Sequence, residues 1–249
     1  MKSVKLKASL FICAGLAGSL SGLAQAVPVV YFGENLTPGG VVSGSPVTAR
    51  NSFLSGLSGV GSENFEGIAA GSTPPLALTF PGSSGSITAT IASASGGVCN
   101  TASGTVGTIG CNGFGRFPTS GTNWYQTTDV FTVTFSNPIA AFGFYGTDIG
   151  DFNGQITATL NGGATVNLTI PNTLNAPDGS LLFWGFIDST DSYTSLQFGN
   201  TASGSDVFGF DDLVIGDRGQ VNIPEPGSLA LLGLGFAALG AMRRKKLAV

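Results

Sequence analysis

Short segments in which apolar residues alternate with threonine, serine or asparagine recur along this chain. Alternation with a period of two is typical of a β-strand that has one face buried and the other exposed. Five segments follow this pattern, namely residues 86–91, 130–135, 155–160, 165–170 and 192–198. Two others, residues 139–145 and 181–187, are apolar almost throughout and rich in phenylalanine. These two predict strands that are covered on both faces.

The turns between these segments favour antiparallel pairing. Asn161, Gly162 and Gly163 join two of the predicted strands in the manner of a tight hairpin. Short antiparallel strands with one apolar face each bury those faces by forming two packed sheets. The sequence therefore predicts an all-β fold, a single antiparallel β-sandwich that is jelly-roll-like. Helix is expected to be nearly confined to the two ends, as a signal peptide and a short C-terminal transmembrane helix.

The N-terminus has the three parts of a secretory signal peptide. Lys2, Lys5 and Lys7 precede an apolar stretch over residues 8–23, and Ala24-Gln25-Ala26 follows with small residues at the cleavage positions. We expect signal peptidase to cleave after Ala26.

The C-terminus ends in a second tripartite segment. Pro224, Glu225 and Pro226 precede an apolar run over residues 227–242, and four basic residues follow it: Arg243, Arg244, Lys245 and Lys246. A helix over this run is ~24 Å long, shorter than the ~30 Å hydrocarbon core of a bilayer. It is therefore a weak permanent anchor, and the basic residues would stay on the cytoplasmic side. An ordinary C-terminal membrane anchor is the alternative.

The order of these three parts resembles the PEP-CTERM sorting signal of Gram-negative bacteria, over residues 223–249. The resemblance implies that a membrane protease-transpeptidase, exosortase, recognises Pro224, Glu225 and Pro226 and removes the tail. It also implies delivery to the cell surface or extracellular matrix, with transient anchoring in the inner membrane. The chain thus divides into a signal peptide (1–26), an exported domain (27–222) and the sorting signal (223–249).

Removing both ends makes the protein strongly acidic. Of the 10 basic residues only Arg50, Arg116 and Arg218 remain, against 13 of the 14 acidic residues, so the net charge is −10. Such a surface repels nucleic acid, which we exclude as a partner, and it favours cations or neutral ligands. A charge that only keeps an exported protein soluble is an equally good interpretation.

The two remaining cysteines and the absence of histidine limit which catalytic and metal-binding sites the protein can have. Cys99 and Cys111 are the cysteines left after export, and a disulfide is expected in an oxidising compartment, contributing about 2–3 kcal/mol. The chain has no histidine, which excludes Ser-His-Asp and Cys-His catalysis and histidine-bearing zinc sites. The catalytic chemistry that these absences do not exclude is that of carboxylates, chiefly glycoside hydrolysis by two acidic residues.

Three acidic residues are candidate metal ligands. In jelly-roll domains similar to carbohydrate-binding modules, a Glu near the first strand and an Asp in the last strand often hold a structural calcium ion. Glu66 and the pair Asp211 and Asp212 occupy those positions here, and calcium prefers such oxygen ligands. Solvated carboxylates at strand ends are the alternative. A second cluster of oxygen-bearing side chains, those of Asp148, Asp151 and Asn153, is better interpreted as turn residues.

Four aromatic residues are candidates for a platform that stacks on sugar rings: Trp124, Tyr125, Trp184 and Tyr193. Core packing is the better interpretation of Trp184, and packing against the loop between the cysteines is the better one for Trp124 and Tyr125.

Residues 64–215 resemble the uncharacterised exported β-sandwich domains that often precede this sorting signal. The matching pieces are residues 64–67, 117–123, 141–152 and 206–212. This resemblance brings no catalytic residues. The sequence thus predicts a non-catalytic surface or matrix protein, structural or polysaccharide-binding, with a carbohydrate-active hydrolase as the alternative.

Overall fold

The computed structural model describes residues 28–102, 105–106, 109–111, 115–128, 130–150, 153, 155–162, 165–201 and 206–222. The predicted signal peptide, its cleavage position and the sorting signal with its apolar helix lie outside these residues. Within the described ranges, no helix is long and apolar enough to span a membrane.

The larger of two main sheets has seven antiparallel strands. Numbered along the chain, they are β1 (Val29–Asn35), β2 (Gly61–Glu63), β5 (Gly97–Asn100), β8 (Asn123–Thr128), β10 (Ala141–Thr147), β13 (Leu181–Ile187) and β15 (Val207–Gly216). Their order is β1-β13-β10-β15-β8-β5, and β2 pairs with the end of β15.

The second main sheet has six antiparallel strands. They are β3 (Leu76–Gly82), β4 (Gly85–Ser93), β9 (Phe131–Ile139), β11 (Ile156–Gly162), β12 (Thr165–Thr169) and β14 (Tyr193–Asn200), in the order β12-β11-β14-β9-β4-β3. A short hairpin, β6 (Thr105–Val106) with β7 (Ile109–Gly110), lies between β5 and β8.

The two sheets pack face to face, which confirms the predicted all-β sandwich. Phenylalanines from both sheets meet at the interface: the ring of Phe131 on β9 lies 4.9 Å from that of Phe210 on β15, and the ring of Phe198 on β14 lies 5.7 Å from that of Phe144 on β10. From β12 onward the chain changes sheet at each successive strand, through β13 and β14 to β15. This repeated crossing gives the sandwich its jelly-roll-like character.

Strands β10 and β13 are buried on both faces, as their apolar sequences predict. Helix α1 (Ser45–Ser55) covers their outer side. Its Phe53 ring lies 5.5 Å from that of Phe183, and close to Gly143 and Gly185.

The expectation that helix is nearly confined to the two ends is therefore wrong. Helix α1 buries only Pro46, Ala49 and Phe53, of which one is a large apolar residue, and it has no side-chain N-cap. So few buried positions leave only a weak helical pattern of apolar residues in the sequence, because α1 contacts the sheet mainly through one aromatic ring rather than through a broad apolar face. A 3₁₀-helix over Arg218–Gln220 was also not predicted.

Candidate functional site

The three predicted metal ligands all bind one segment of the chain, residues 119–123. Strand β2 pairs with β15, with Glu63 opposite Leu213, and this places Glu66 on the same side of the sandwich as Asp211 and Asp212. We call these three side chains, with the segment that they hold, the carboxylate clamp. The strand that precedes Glu66 therefore lies beside the last strand, but it is β2 and not the first strand of the sandwich, which is β1.

Glu66 binds the C-terminal half of the segment. Its Oε1 accepts hydrogen bonds from the backbone N–H groups of Thr122 and Asn123, both at 2.6 Å, and its Oε2 accepts one from the Thr122 hydroxyl at 3.2 Å. The backbone hydrogen bonds from Thr122 and then Asn123 lower the pKa of Glu66.

Gly121 is required between the two ends of the clamp. Its φ of +63° lies in the left-handed region, and a Cβ atom there would come within 2.4 Å of the Glu66 Oε1. An L-residue at this position would therefore meet both backbone strain and a clash with the carboxylate.

Asp211 and Asp212 bind the N-terminal half. The Asp211 Oδ2 accepts from the Thr119 N–H at 2.7 Å, the Thr119 hydroxyl at 3.0 Å and the Ser120 N–H at 3.1 Å. Asp212 lies within 2.9 Å of both hydroxyls, through Oδ2 to Thr119 and through Oδ1 to Ser120. The single hydroxyl proton of Thr119 is thus shared between two carboxylates.

A bulge allows two consecutive side chains to reach the same segment. In a regular strand Asp211 and Asp212 would point to opposite faces. Here the β10–β15 register shifts between Gly143 and Tyr145, and Asp212 has a φ of +50°. The bulge therefore turns both carboxylates towards residues 119 and 120.

Asp211 is an unusual acid. It is 1% exposed, and burial, followed by the negative charge of Asp212, raises the pKa of Asp211 to about 7. The N–H groups of Ser120, Asp212 and Thr119 act in the opposite direction, but they do not outweigh burial. Asp211 therefore holds a proton at acidic pH in the folded protein and loses it near neutrality.

The raised pKa of Asp211 predicts that stability falls as the pH rises towards neutrality. Its pKa is higher in the folded state than in the unfolded state, so the stabilisation is full below about pH 4 and is lost through about pH 7. Between about pH 5 and 8 we expect the free energy of unfolding to drop by about 2–3 kcal/mol, measured by urea denaturation at each pH.

Asp212→Asn is the matched control for this prediction. It removes the charge that raises the Asp211 pKa, and asparagine tolerates the positive φ at position 212. The fall in stability should then become smaller and move to lower pH. Stability that is constant or rises over this range in the unchanged protein would contradict the assignment.

The structure brings the three acids to one segment but not to one point, because Glu66 binds residues 122 and 123 while the aspartates bind 119 and 120. Among the described residues, no group of three or more His, Cys, Asp or Glu side chains is arranged to hold a metal ion. Calcium at Glu66, Asp211 and Asp212 stays a prediction.

Cys99 and Cys111 form a disulfide, with their Cα atoms 5.5 Å apart. The bridge packs against Trp124, and all three residues are buried. The other three candidate rings for a sugar platform, those of Tyr125, Trp184 and Tyr193, are also buried. The four rings therefore belong to the interior and offer no exposed stacking surface.

A buried ion pair lies next to the disulfide loop. Arg116 and Asp148 approach to 3.2 Å, with side chains that are 5% and 2% exposed. Asp148 also accepts a hydrogen bond from the Gly179 N–H at 3.1 Å and has a φ of +62°, as expected of a turn residue. Asp151, the next acid of this turn, lies outside the described residues.

The end of the chain matches a known family motif. Residues 222–245 match the PEP-CTERM protein-sorting motif. This confirms the recognition of the sorting signal and indicates an exported, surface-directed protein that is sorted by exosortase. No curated protein and no solved structure shows significant similarity to the chain.

Proposed function

We propose that the exported domain is a non-catalytic component of the cell surface or extracellular matrix of a Gram-negative bacterium, structural or polysaccharide-binding. In this proposal signal peptidase removes residues 1–26, and the apolar C-terminal run holds the chain in the inner membrane until exosortase acts. The exported domain then functions outside the cell.

One observation supports the non-catalytic part of the proposal: most of the described carboxylates, though not those of Asp178 and Asp191, accept structural hydrogen bonds. Glu34 accepts from the N–H and hydroxyl of Thr173, at 3.0 and 2.6 Å. Asp188 accepts from the Tyr193 hydroxyl at 2.6 Å and from backbone N–H groups. The clamp acids and Asp148 are bonded in the same way, so their oxygens hold loops in place.

The acidic residue of a polar cleft of about 370 Å³ also accepts structural hydrogen bonds. The cleft lies between the β3–β4 turn and residues 217–219, and its acid is Asp217. The Asp217 carboxylate accepts from the Ser83 N–H at 2.7 Å and the Gly219 N–H at 2.9 Å. A glycosidase needs two carboxyl groups about 5–10 Å apart that face a cleft.

The hydrolase alternative is therefore less favoured. Among the described carboxylates, one has the raised pKa expected of a general acid, and that is Asp211. It is covered by Thr119 and Ser120 instead of facing a cleft. Asp211→Asn should leave any sugar-releasing activity of the preparation unchanged, and loss of such an activity would support the hydrolase.

Binding to insoluble polysaccharides tests the proposal. The full-length chain, purified in a mild detergent, is incubated with cellulose, chitin, a β-1,3-glucan and calcium-alginate beads, and bound protein is measured after sedimentation. We expect retention on at least one of them above the level of an unrelated acidic protein. Retention on none would contradict a polysaccharide-binding role.

Calcium is proposed for the carboxylate clamp with a separate test. An ion there would replace the hydroxyl donors of Thr119 and Ser120. Binding to the folded state alone stabilises it by ~2.7 kcal/mol at a hundredfold excess over Kd, so we expect the full chain to melt at a higher temperature in millimolar calcium than in chelator. Equal melting temperatures, or an unchanged calcium shift in Glu66→Gln, would contradict this site.

A further inference from the structure

The outer face of the six-stranded sheet differs from the rest of the domain. None of its six strands contains an Asp, Glu, Lys or Arg residue. The large apolar residues of these strands point into the sandwich, and most alternate positions present threonine, asparagine, serine or glutamine to the outside, with Ala77, Pro81 and Ala92 as the apolar exceptions on β3 and β4. We call this outer surface the hydroxyl face.

Strand pairing arranges these side chains in rows across the sheet. One row runs through Asn167, Thr159, Gln197 and Thr132, which are direct partners on β12, β11, β14 and β9. Within a row, the residues on neighbouring strands are about 4.8 Å apart, and successive rows are about 6.7 Å apart along the strands. The hydroxyl face is therefore a regular array of hydrogen-bonding groups.

A second row lies next to the first. It runs through Asn161, Ser195, Thr134 and Thr90, again as direct partners on neighbouring strands. The array thus extends in both directions of the sheet, over five of its six strands.

Part of this array is bonded within itself and part is open. The Thr159 hydroxyl donates to the Asn167 amide oxygen at 2.9 Å, at the β11–β12 edge. In the middle of the sheet, the side chains of Thr90, Thr132, Thr134 and Gln197 make no hydrogen bond to any described residue. Their donors and acceptors are available to a ligand.

The distribution of charge indicates what kind of ligand fits. The seven-stranded sheet carries Glu34, Glu63, Asp211 and Asp212, whereas the hydroxyl face is uncharged in a domain whose net charge is −10. A cation would find better partners elsewhere on the domain, and a polyanion would be repelled by the domain as a whole. A neutral ligand avoids both effects.

The chemistry of threonine narrows the ligand further. Each threonine presents one hydroxyl and one methyl group, and a sugar ring likewise alternates hydroxyl groups with C–H patches. A single exposed hydrogen bond contributes only about 0.5–1.5 kcal/mol. Tight binding through this face therefore needs a ligand that engages many positions at once, which a polymer does and a short oligosaccharide does not.

We propose that the hydroxyl face is the binding surface for a neutral polysaccharide, presented as a solid or aligned polymer. The inference rests on the proposed function and locates its binding site. A second copy of this chain is a poorer occupant, because the face lacks the large apolar residues that dominate stable protein interfaces.

Substitutions in the middle of the face test the proposal with the sedimentation assay described above. Gln197→Glu places a negative charge in the array at nearly constant size. Thr132→Val/Thr134→Val removes two hydroxyls without changing the shape, and valine favours strands. Val41→Glu adds the same charge as Gln197→Glu at an exposed position, 61% accessible, in the loop after β1.

We expect both changes in the face to weaken binding to the retained neutral polysaccharide by at least about tenfold, which corresponds to 1.4 kcal/mol. Val41→Glu should bind like the unchanged protein, and all variants should keep the unchanged melting temperature.

Other outcomes separate this inference from the proposed function. If all folded variants bound the polysaccharide equally well, the binding site would lie outside the hydroxyl face, and the proposal of polysaccharide binding itself would stand. Retention on alginate alone would overturn the neutral ligand while supporting the proposed function. A dimer in analytical ultracentrifugation that Gln197→Glu dissociates would assign the face to a second copy.

Discussion

Replacing Arg116 by methionine is expected to lower the free energy of unfolding by about 3–5 kcal/mol, because it leaves the buried Asp148 carboxylate without its ion-pair partner. Arg116 also donates to the Gly110 carbonyl and the Gln126 side chain, both at 3.2 Å. These bonds join the disulfide loop to β8 and to the turn after β10. The loss should appear in urea denaturation as a lower midpoint with an unchanged slope.

Three further variants separate the ion pair from a general effect of charge. Arg218→Met removes an exposed cation and should cost less than about 0.5 kcal/mol. Arg116→Lys keeps the positive charge but lacks the planar guanidinium group with its several donors, so we expect a loss in the free energy of unfolding between those of Arg218→Met and Arg116→Met. In Arg116→Met/Asp148→Asn no charge is left buried, and the double variant should be more stable than Arg116→Met. An Arg116→Met protein as stable as Arg218→Met would show that the pair does not hold this region.

The strands were predictable because their signal is local. Alternation depends only on neighbours in the sequence, and the sandwich buries every second residue of strands such as β4 and β11. The apolar runs in β10 and β13 also indicated covering on both faces. The sequence did not reveal which element covers them, since α1 contributes a single large ring, Phe53.

The carboxylate clamp was predictable only in part. The sequence indicated Glu66, Asp211 and Asp212 as acids near the first and last strands, although Glu66 follows β2 and not the first strand. Their hydrogen-bond partners lie 56 to 93 residues away in the sequence. The bulge that brings both aspartates to one side contradicts strand alternation, so no local pattern revealed it. A segment with three hydroxyl residues and Gly121 was the available signal, because such residues supply donors and permit a positive φ.

The residues of the hydroxyl face were predictable from the sequence, but their arrangement into one surface was not. Each threonine on its strands was visible in the sequence as the polar half of an alternating pattern. Their assembly into rows depends on the strand order, which places β9 beside β14 although the two strands are far apart in the chain. The absence of charge becomes meaningful only when the six strands are seen to form one sheet.

Replacing Pro224, Glu225 and Pro226 by alanine is expected to abolish processing at the C-terminus. The three residues lie within the stretch that matches the sorting motif, and we propose that exosortase reads them, so the triple variant should not be recognised. Intact mass spectrometry of the unchanged protein released from the cell surface should show a chain that has lost its apolar run and basic residues. The triple variant should keep the full tail to Val249 and remain with the membrane fraction.

Pro177→Ala/Asp178→Ala is the matched control, because it removes an exposed proline and its acidic neighbour outside the motif. It should be processed and released like the unchanged protein. A tail that is retained to Val249 in the unchanged protein would instead favour an ordinary membrane anchor. If processing continued in the alanine variant, recognition would depend on the apolar run or on Arg243, Arg244, Lys245 and Lys246, and replacing those four residues by serine would then be the change that blocks release.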